Sequence, residues 1–544
     1  MTDAKKNTVH TLDITGYTAE GMGVARLEDG RVVFVPNTIR GERWQVQLLK
    51  VNKNVAWGRA VKAVQESTCR VPSDCSHSGP CGGCQFRHMT YEEELRAKRQ
   101  RVEDALRRVG GVDITVDTIH GAGDIHRYRN KVQFPVAQGK DGVHVGLFRA
   151  RSHDVIDVED CLLQPKPVNG LGRALKNWME RGHIPAYDEK TGKGLVRHLY
   201  VRTNRAGESL VCIVANGKKL PDEPGLVRVL RDYEPGLVGV VLNVNQKDTN
   251  VILGESYRTL WGKDWLEEEL CGLTFRLSVP SFFQINRVQT EVLYGRAVEF
   301  AALTGKETVL DLYCGIGTIS LTMAKKAGRV IGAEIVPEAI EDAKDNAARN
   351  GVTNAEFFCG DAGEIAYKLA SEGVRPDVIC VDPPRKGLAP DVPDILADMA
   401  PERIVYVSCD PATLARDVKR LGERGYAVTK AEAVDLFPRT QHVETVVLLS
   451  REKADDHIRF SINTEDLKKN VGGYATYGDI KAYVLEKFGL KVSSLYIAQT
   501  KDKCGIKERE NYYIGEGKSK ELICPPEKEQ AIMDAFRHFG MLRD

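Results

Sequence analysis

The 544-residue sequence contains no run of about 18 apolar residues, so no helix is expected to span a membrane. Its first residues, Met1-Thr-Asp-Ala-Lys-Lys-Asn7, lack the apolar core of a secretory leader, and a cytoplasmic location is expected. An excess of one charge is also missing: 77 Lys and Arg face 76 Asp and Glu, a net of +1. No polyelectrolyte field surrounds such a chain, so any nucleic-acid surface must come from local clustering. Nor is there a disulfide framework, because the 13 cysteines are odd in number and scattered. What remains is an ordinary soluble composition, 28% charged and 42% hydrophobic, too long for one core and expected to form three or four domains, with a monomer as the simplest state.

The pattern predicts a multidomain α/β protein. Five short strands (9–17, 23–27, 31–35, 43–51 and 56–64), separated by Gly and Asn turns, suggest a small closed barrel of the OB type over 1–67. Cys75, Cys81 and Cys84 follow, with Cys161 as a distant fourth. Cys-Gly-Gly-Cys has no packing advantage, and its glycines cost backbone entropy, so a metal-binding knuckle is the better reading. Four thiolates suit Zn²⁺ or an iron–sulfur cluster, and the spacing does not choose between them. A three-cysteine radical site is not formed, since the fourth thiol closes the set.

Residues 91–109 read as an amphipathic helix, with Leu95, Val102, Leu106 and Val109 on one face and Thr90 and Glu93 as a capping box. Residues 126–151 carry six basic residues against one acid, with Tyr128, Phe134 and Phe148 interleaved. Basic strands with aromatics suit a phosphate backbone and stacked bases, which nominates Arg127, Arg129 and Lys131 for RNA. Further strands are expected at 198–203, 210–215, 239–244 and 250–254.

From residue 287 a helix, then alternating strands and helices, predict a doubly wound sheet. The glycine-rich turn Asp311-Leu-Tyr-Cys-Gly315-Ile-Gly317 lies between a strand and a helix, where backbone can approach a ligand closely. Glu334 ends the next strand, placed for ribose hydroxyls, and Asp361 ends the third. The acidic start and the missing third glycine favour S-adenosylmethionine (SAM) over NAD. Asp382-Pro-Pro-Arg385 ends the fourth strand. Arg385 replaces the aromatic that stacks a base in exocyclic-amine methylases, which disfavours such a target. Cys409 leaves the fifth strand at a turn enforced by Pro411. A thiolate there could add to C6 of a uracil and make C5 nucleophilic. Glu444 is the candidate base, with His442 as runner-up.

Taken together these residues resemble the RNA uracil-C5 methyltransferase family, in its 23S rRNA branch, over roughly residues 7–450. The resemblance implies an N-terminal TRAM domain at 1–67 and an α+β iron–sulfur central domain at 68–92 and 125–275. It further implies a Rossmann-like SAM methyltransferase domain at 93–124 and 276–451. Cys75, Cys81, Cys84 and Cys161 then hold a [4Fe-4S] cluster, and Gln284, Tyr313, Glu334 and Asp382 contact SAM. Cys409 becomes the nucleophile and Glu444 the proton acceptor. The family's tRNA branch lacks both TRAM domain and cluster, which favours rRNA, with a tRNA enzyme or a non-catalytic iron–sulfur RNA-binding protein as alternatives. Residues 452–544 depart from the pattern and are expected to form a small α/β extension of unknown role.

Overall fold

The computed structural model describes residues 4–451, 475, 477–504, 506, 524–539 and 541–542. They fall into two compact units, 1–452 and 453–544.

The first unit begins with six strands: β1 (Val9–Asp13), β2 (Gly16–Tyr17), β3 (Gly23–Arg26), β4 (Val32–Val35), β5 (Arg43–Val51) and β6 (Val55–Gln65). Their order is β1-β5-β6-β4-β3-β2. β1 and β2 are two halves of one stretch bent at Ile14-Thr15, so the order starts and ends on the same segment and the sheet closes. Val33, Val35, Val46 and Leu48 fill it. Gly58 permits a close approach, since a Cβ there would lie 2.3 Å from Val46 Cγ1.

Helix α1 (Tyr91–Arg108) starts where expected, with Thr90 Oγ1 accepting from the Glu93 N–H. The capping box does not close. The Glu93 carboxylate instead accepts from Tyr17 Oη at 2.8 Å and from Arg96 and Arg40, pinning the barrel to the helix. Strand β7 (Thr118–His120) follows.

The central sheet comprises β8 (Lys131–Gly139), β9 (Gly142–Phe148), β10 (Val155–Asp157), β11 (Val196–Thr203), β12 (Ser209–Ala215), β13 (Leu237–Val244) and β14 (Ser256–Gly262), in the order β10-β9-β8-β11-β12-β13-β14. Helices α2 (Lys166–Arg181) and α3 (Glu223–Tyr233) bury Leu171, Leu175, Leu226 and Leu230 against it. The strand expected at 250–254 is a loop, and pairing resumes at Ser256. Side-chain amides replace the ladder there: Asn245 donates to the carbonyls of Val251 and Ile252, and Asn243 both donates to and accepts from Gly254. The hairpin of β15 (Trp265–Leu270) and β16 (Leu273–Ser278) turns through Cys271 and Gly272, both at positive φ.

Helix α4 (Arg287–Ala301), capped by Asn286, opens the last layer of the first unit. The elements then alternate: β17 (Thr308–Leu312), α5 (Thr318–Ala324), β18 (Arg329–Glu334), α6 (Pro337–Arg349), β19 (Ala355–Cys359), α7 (Ala362–Ser371), β20 (Val378–Val381), α8 (Val392–Asp398), β21 (Arg403–Ser408), α9 (Pro411–Glu423), β22 (Tyr426–Val434) and β23 (Glu444–Arg451). The sheet order is β19-β18-β17-β20-β21-β23-β22-β7. β17 to β21 are parallel, and β23 is antiparallel between β21 and β22. β7 extends the far edge in parallel with β22.

In the second unit the described residues form α10 (Tyr477–Phe488), α11 (Ser494–Lys503) and α12 (Pro526–His538) around Ile480, Val484, Ile497, Ile532 and Phe536. No strand occurs among its described residues, so these are helical where a mixed α/β extension was expected. Among all described residues no helix is long and apolar enough to cross a membrane.

Candidate active site

The carboxyl ends of β17, β18, β20 and β21 open on a cavity of about 640 Å³. Of the residues nominated from sequence, Gln284, Asp311, Tyr313, Gly315, Glu334, Asp361, Asp382, Cys409 and Glu444 all line it. Gly317 does not. It stands behind, at φ +84°, as the N-cap of α5, where a Cβ would press on Ala343 and Phe357 at 3.3 Å.

Local chemistry places each group. The Asp311 carboxylate is fully buried and accepts a hydrogen bond from Ser320 Oγ, which ties the glycine-rich turn to α5. Glu334 accepts from the Gly315 N–H at 3.2 Å and the Val336 N–H at 3.0 Å, so it braces the turn as well as facing the cavity. Asp361 caps α7, accepting from Gly363 and Glu364. Ser408 Oγ accepts from the Asp410 N–H, and Asp410 caps α9 through Ala412 and Thr413. Cys409 is thus held between a strand end and a helix start.

The cavity gathers negative charge. Burial pushes the Glu444 carboxyl up to about 8, with Asp382 raising it and Arg385 opposing. Asp382 and Asp311 both rise to about 7, again chiefly by burial. The Cys409 thiol is pushed up to about 11 by burial, then by Glu444 and Asp382, against Arg385. Glu444 Oε2 and Asp311 Oδ1 are buried without a hydrogen-bond partner. A cavity lined by carboxyls, two of them with an orphaned oxygen, is suited to a cationic ligand such as a sulfonium bearing an amino group. His442 is the weaker base: burial, Arg385 and Arg101 lower it to about 4.

The sequence reading gave no role to Phe437, which forms part of the wall, or to Phe282, 64% exposed and also lining the cavity. Phe282 lies two residues before the nominated Gln284, a proximity that could have pointed to it. Phe437 lies in an irregular connection and has no local signal.

Cys75, Cys81, Cys84 and Cys161 line a second, much smaller cavity together. Arg87, 4% exposed, donates to Cys84 Sγ at 3.4 Å and pairs with Asp74. Burial raises the Cys84 thiol to about 11, and Arg87 opposes that rise. Among the described residues no group of three His, Cys, Asp or Glu side chains is arranged to hold a metal ion.

The RNA nominees divide. Arg127 is half-buried and committed to partners within the chain, with both guanidinium NH₂ groups donating to Asp160 and one also to the carbonyls of Cys161 and Gln164. Lys131 lies 5.8 Å from the Phe282 ring centre, and burial lowers it to about 8. Arg129 is half-buried between them in sequence.

Comparison with known proteins places this geometry. Residues 90–452 match the model of the tRNA (uracil-5-)-methyltransferase family, and residues 3–61 match the TRAM domain. An uncharacterized RNA methyltransferase of Clostridium tetani is 44% identical over 82% of this chain and 97% of its own length. One from Bacillus cereus is 42% identical over the same shares. The crystal structure of Pyrococcus abyssi tRNA (uracil-54, C5)-methyltransferase with S-adenosyl-L-homocysteine is similar at TM-score 0.64 and 28% identity, covering 81% of this chain and all of that one. Because a tRNA enzyme shares so much of the architecture, the architecture does not by itself separate rRNA from tRNA substrates. The chain belongs to the SAM-dependent RNA (uracil-5-)methyltransferase family and carries a TRAM domain at its N-terminus.

Proposed function

We propose that the protein methylates C5 of a uracil in 23S rRNA through a covalent bond between Cys409 and C6. The observation that carries the mechanism is the pairing of Ser408 with Thr445, which brings the nucleophile and Glu444 out of neighbouring strands at one level above the cavity. SAM, when bound, supplies an electrophilic methyl group. Cys409 Sγ adds to C6 and moves the ring electrons towards O4, so that C5 becomes the nucleophile. Once C5 carries the methyl group, Glu444 accepts the C5 proton. The electrons of that C–H bond restore C5=C6, and the C6–S bond breaks with its pair on sulfur. Gln284, Tyr313, Glu334 and Asp382 are assigned to the methyl donor, with Asp311, Gly315, Gly317 and Asp361 shaping its pocket.

The four cysteines, not preset around a single metal ion but lining one cavity, are assigned a [4Fe-4S] cluster on the family resemblance of their pattern. A thiol set around a shared cavity with a buried guanidinium suits a group that turns the ligands anionic on binding. The central domain (68–92 and 125–275) would hold it, apart from the methyl-transfer residues. The 23S assignment rests on the family branch that the cysteine pattern resembles. A tRNA substrate is the second reading, favoured by the likeness to the archaeal tRNA enzyme. Mass spectrometry of ribosomal and transfer RNA from a deletion strain separates them. Loss of 5-methyluridine from 23S rRNA is expected, and loss from tRNA alone gives the second reading.

A further inference from the structure

The connection between β22 and β23 contributes Phe437 to the cavity wall and ends at Glu444. Groups from elsewhere in the chain hold the backbone of most of its residues. From α1, Lys98 Nζ donates to the Phe437 carbonyl at 3.1 Å and to Asp435 Oδ1 at 2.7 Å. Arg101 donates to the Gln441 carbonyl at 2.8 Å, and Glu94 Oε1 accepts from the Arg439 N–H at 2.6 Å. From the opposite side the cysteine knuckle takes hold. The N–H groups of Gln85 and Phe86 both donate to the Arg439 carbonyl, at 2.9 and 3.1 Å. Gln85 Oε1 accepts from the Gln441 N–H at 3.3 Å, and Tyr128 Oη donates to the Pro438 carbonyl at 3.0 Å.

Two features separate this from ordinary loop packing. Lys98, Glu94 and Asp435 are at most 1% exposed, so the charges bracing the loop are fully desolvated and paired. Arg439 sits at φ +71°, a conformation that non-glycine residues keep only when the surroundings over-determine it. The over-determination comes from both jaws, and the outer jaw starts at the residue after Cys84.

We propose that Gln85 is a positioning residue for the catalytic base: it transmits the order of the four-cysteine knuckle to the 435–443 loop and so to Glu444. This rests on Glu444 acting as the base. Loosening the outer jaw should leave the nucleophile and the SAM pocket in place, because Cys409 and the strand-end residues hang on β17 to β21 and Phe437 is held by Lys98 of the inner jaw. It should slow the step that needs Glu444 most, removal of the C5 proton.

The test uses the full chain. Gln85→Ala should speed amide hydrogen exchange at residues 439–443 and lower kcat about 10- to 100-fold, as a small misplacement of a catalytic group does. KM for RNA and the Kd for SAM should stay the same, and a methylated enzyme–RNA adduct should accumulate. Gln85→Glu keeps the acceptor for Gln441 but loses the donation of Gln85 Nε2 to the Gly82 carbonyl at 3.0 Å, so it should restore the rate only in part. If Gln85→Ala does not fold, Gln85→Asn, which draws the acceptor back by one methylene, is read by the same measures. Unchanged exchange in the loop overturns the proposal, as does faster exchange without adduct, or a loss confined to RNA affinity. Glu444→Gln is run in parallel. If it traps no adduct, the base assignment falls, whereas trapping there but not in the Gln85 variant defeats only the present inference.

Discussion

Ser408 pairs with Thr445 in the antiparallel ladder between β21 and β23, so the next residues outward, Cys409 and Glu444, leave the sheet side by side from strands of opposite direction. Asp382 leaves the adjoining strand on the same edge. Three acidic groups therefore share one mouth: Asp382 raises the proton affinity of both Cys409 and Glu444, and Glu444 raises that of Cys409. Without a bound cation the Glu444 carboxyl is held near 8 and the Cys409 thiol near 11, a mismatch at neutral pH with the ionised forms that their proposed roles require.

A cationic ligand corrects that mismatch. Positive charge near Asp382 and Glu444 favours their ionised forms, so SAM binding should release protons. The carboxyls near 7 and 8 are largely protonated at pH 6 and increasingly ionised by pH 8.5. SAM affinity should therefore rise across that window, and calorimetry in buffers of different ionisation enthalpy should detect the released protons. Asp382→Asn should flatten the pH dependence. A pH-independent affinity in the wild type would show that these carboxyls are not linked to binding.

The same burial makes a stability prediction. Glu444 has a folded pKa raised above its ordinary 4.5, so the folded state holds the proton more tightly than the unfolded chain. Its contribution favours folding at low pH and is progressively lost as pH rises from about 4.5 through 8. Glu444→Gln removes the penalty. The ligand-free variant should show a higher Tm than wild type at pH 8.5 and little difference at pH 4.5, measured by differential scanning calorimetry.

Arg127 and Lys131 should behave differently although both were nominated for RNA. Arg127 is spent on Asp160 and on the carbonyls beside Cys161, so Arg127→Ala should weaken the cysteine site. With the proposed iron–sulfur cluster bound, the readout is faster loss of its visible absorbance. Lys131→Ala should instead weaken RNA binding and reduce the log–log salt slope by roughly 0.7–0.9 for one lost phosphate contact. With its ammonium lowered to about 8, the Lys131 contribution should fade as pH rises past that value. Equal salt slopes in wild type and Lys131→Ala would move the phosphate contact elsewhere.

The catalytic layer was legible because its signals are local. Each strand end carries its own chemistry: glycines and Asp311, Glu334, Asp382, or Cys409 before Pro411. The hydrophobic runs of a parallel sheet fix where those ends fall. What escaped was long-range. The 250–254 run has strand composition, but Asn243 and Asn245 capture its backbone from a neighbouring strand. Glu93 has the spacing of a capping box and is drawn away by Tyr17 of the barrel. Arg127 reads as a free cation until Asp160 folds against it. The brace on 435–443 is invisible in sequence, because its partners lie some 340 residues away.

The sharpest separation of roles is that between the proposed nucleophile, Cys409, and the proposed base, Glu444. Cys409→Ala should bind SAM and RNA yet form no covalent bond, because without addition at C6 no enolate develops and C5 stays unreactive. Glu444→Gln should add to C6 and transfer the methyl group, then stall, since an amide cannot accept the C5 proton. A methylated enzyme–RNA adduct should then survive denaturing gel electrophoresis, while the wild type shows little because elimination frees the thiolate. Turnover should fall by about 10²–10⁴, the range for a missing general base. His442 is a poor substitute, lowered to about 4 and facing Arg385 at 3.4 Å. If Glu444→Gln turned over normally, a bound water would have to be the acceptor. If Cys409→Ala kept methylating RNA, the covalent route itself would be wrong for this chain.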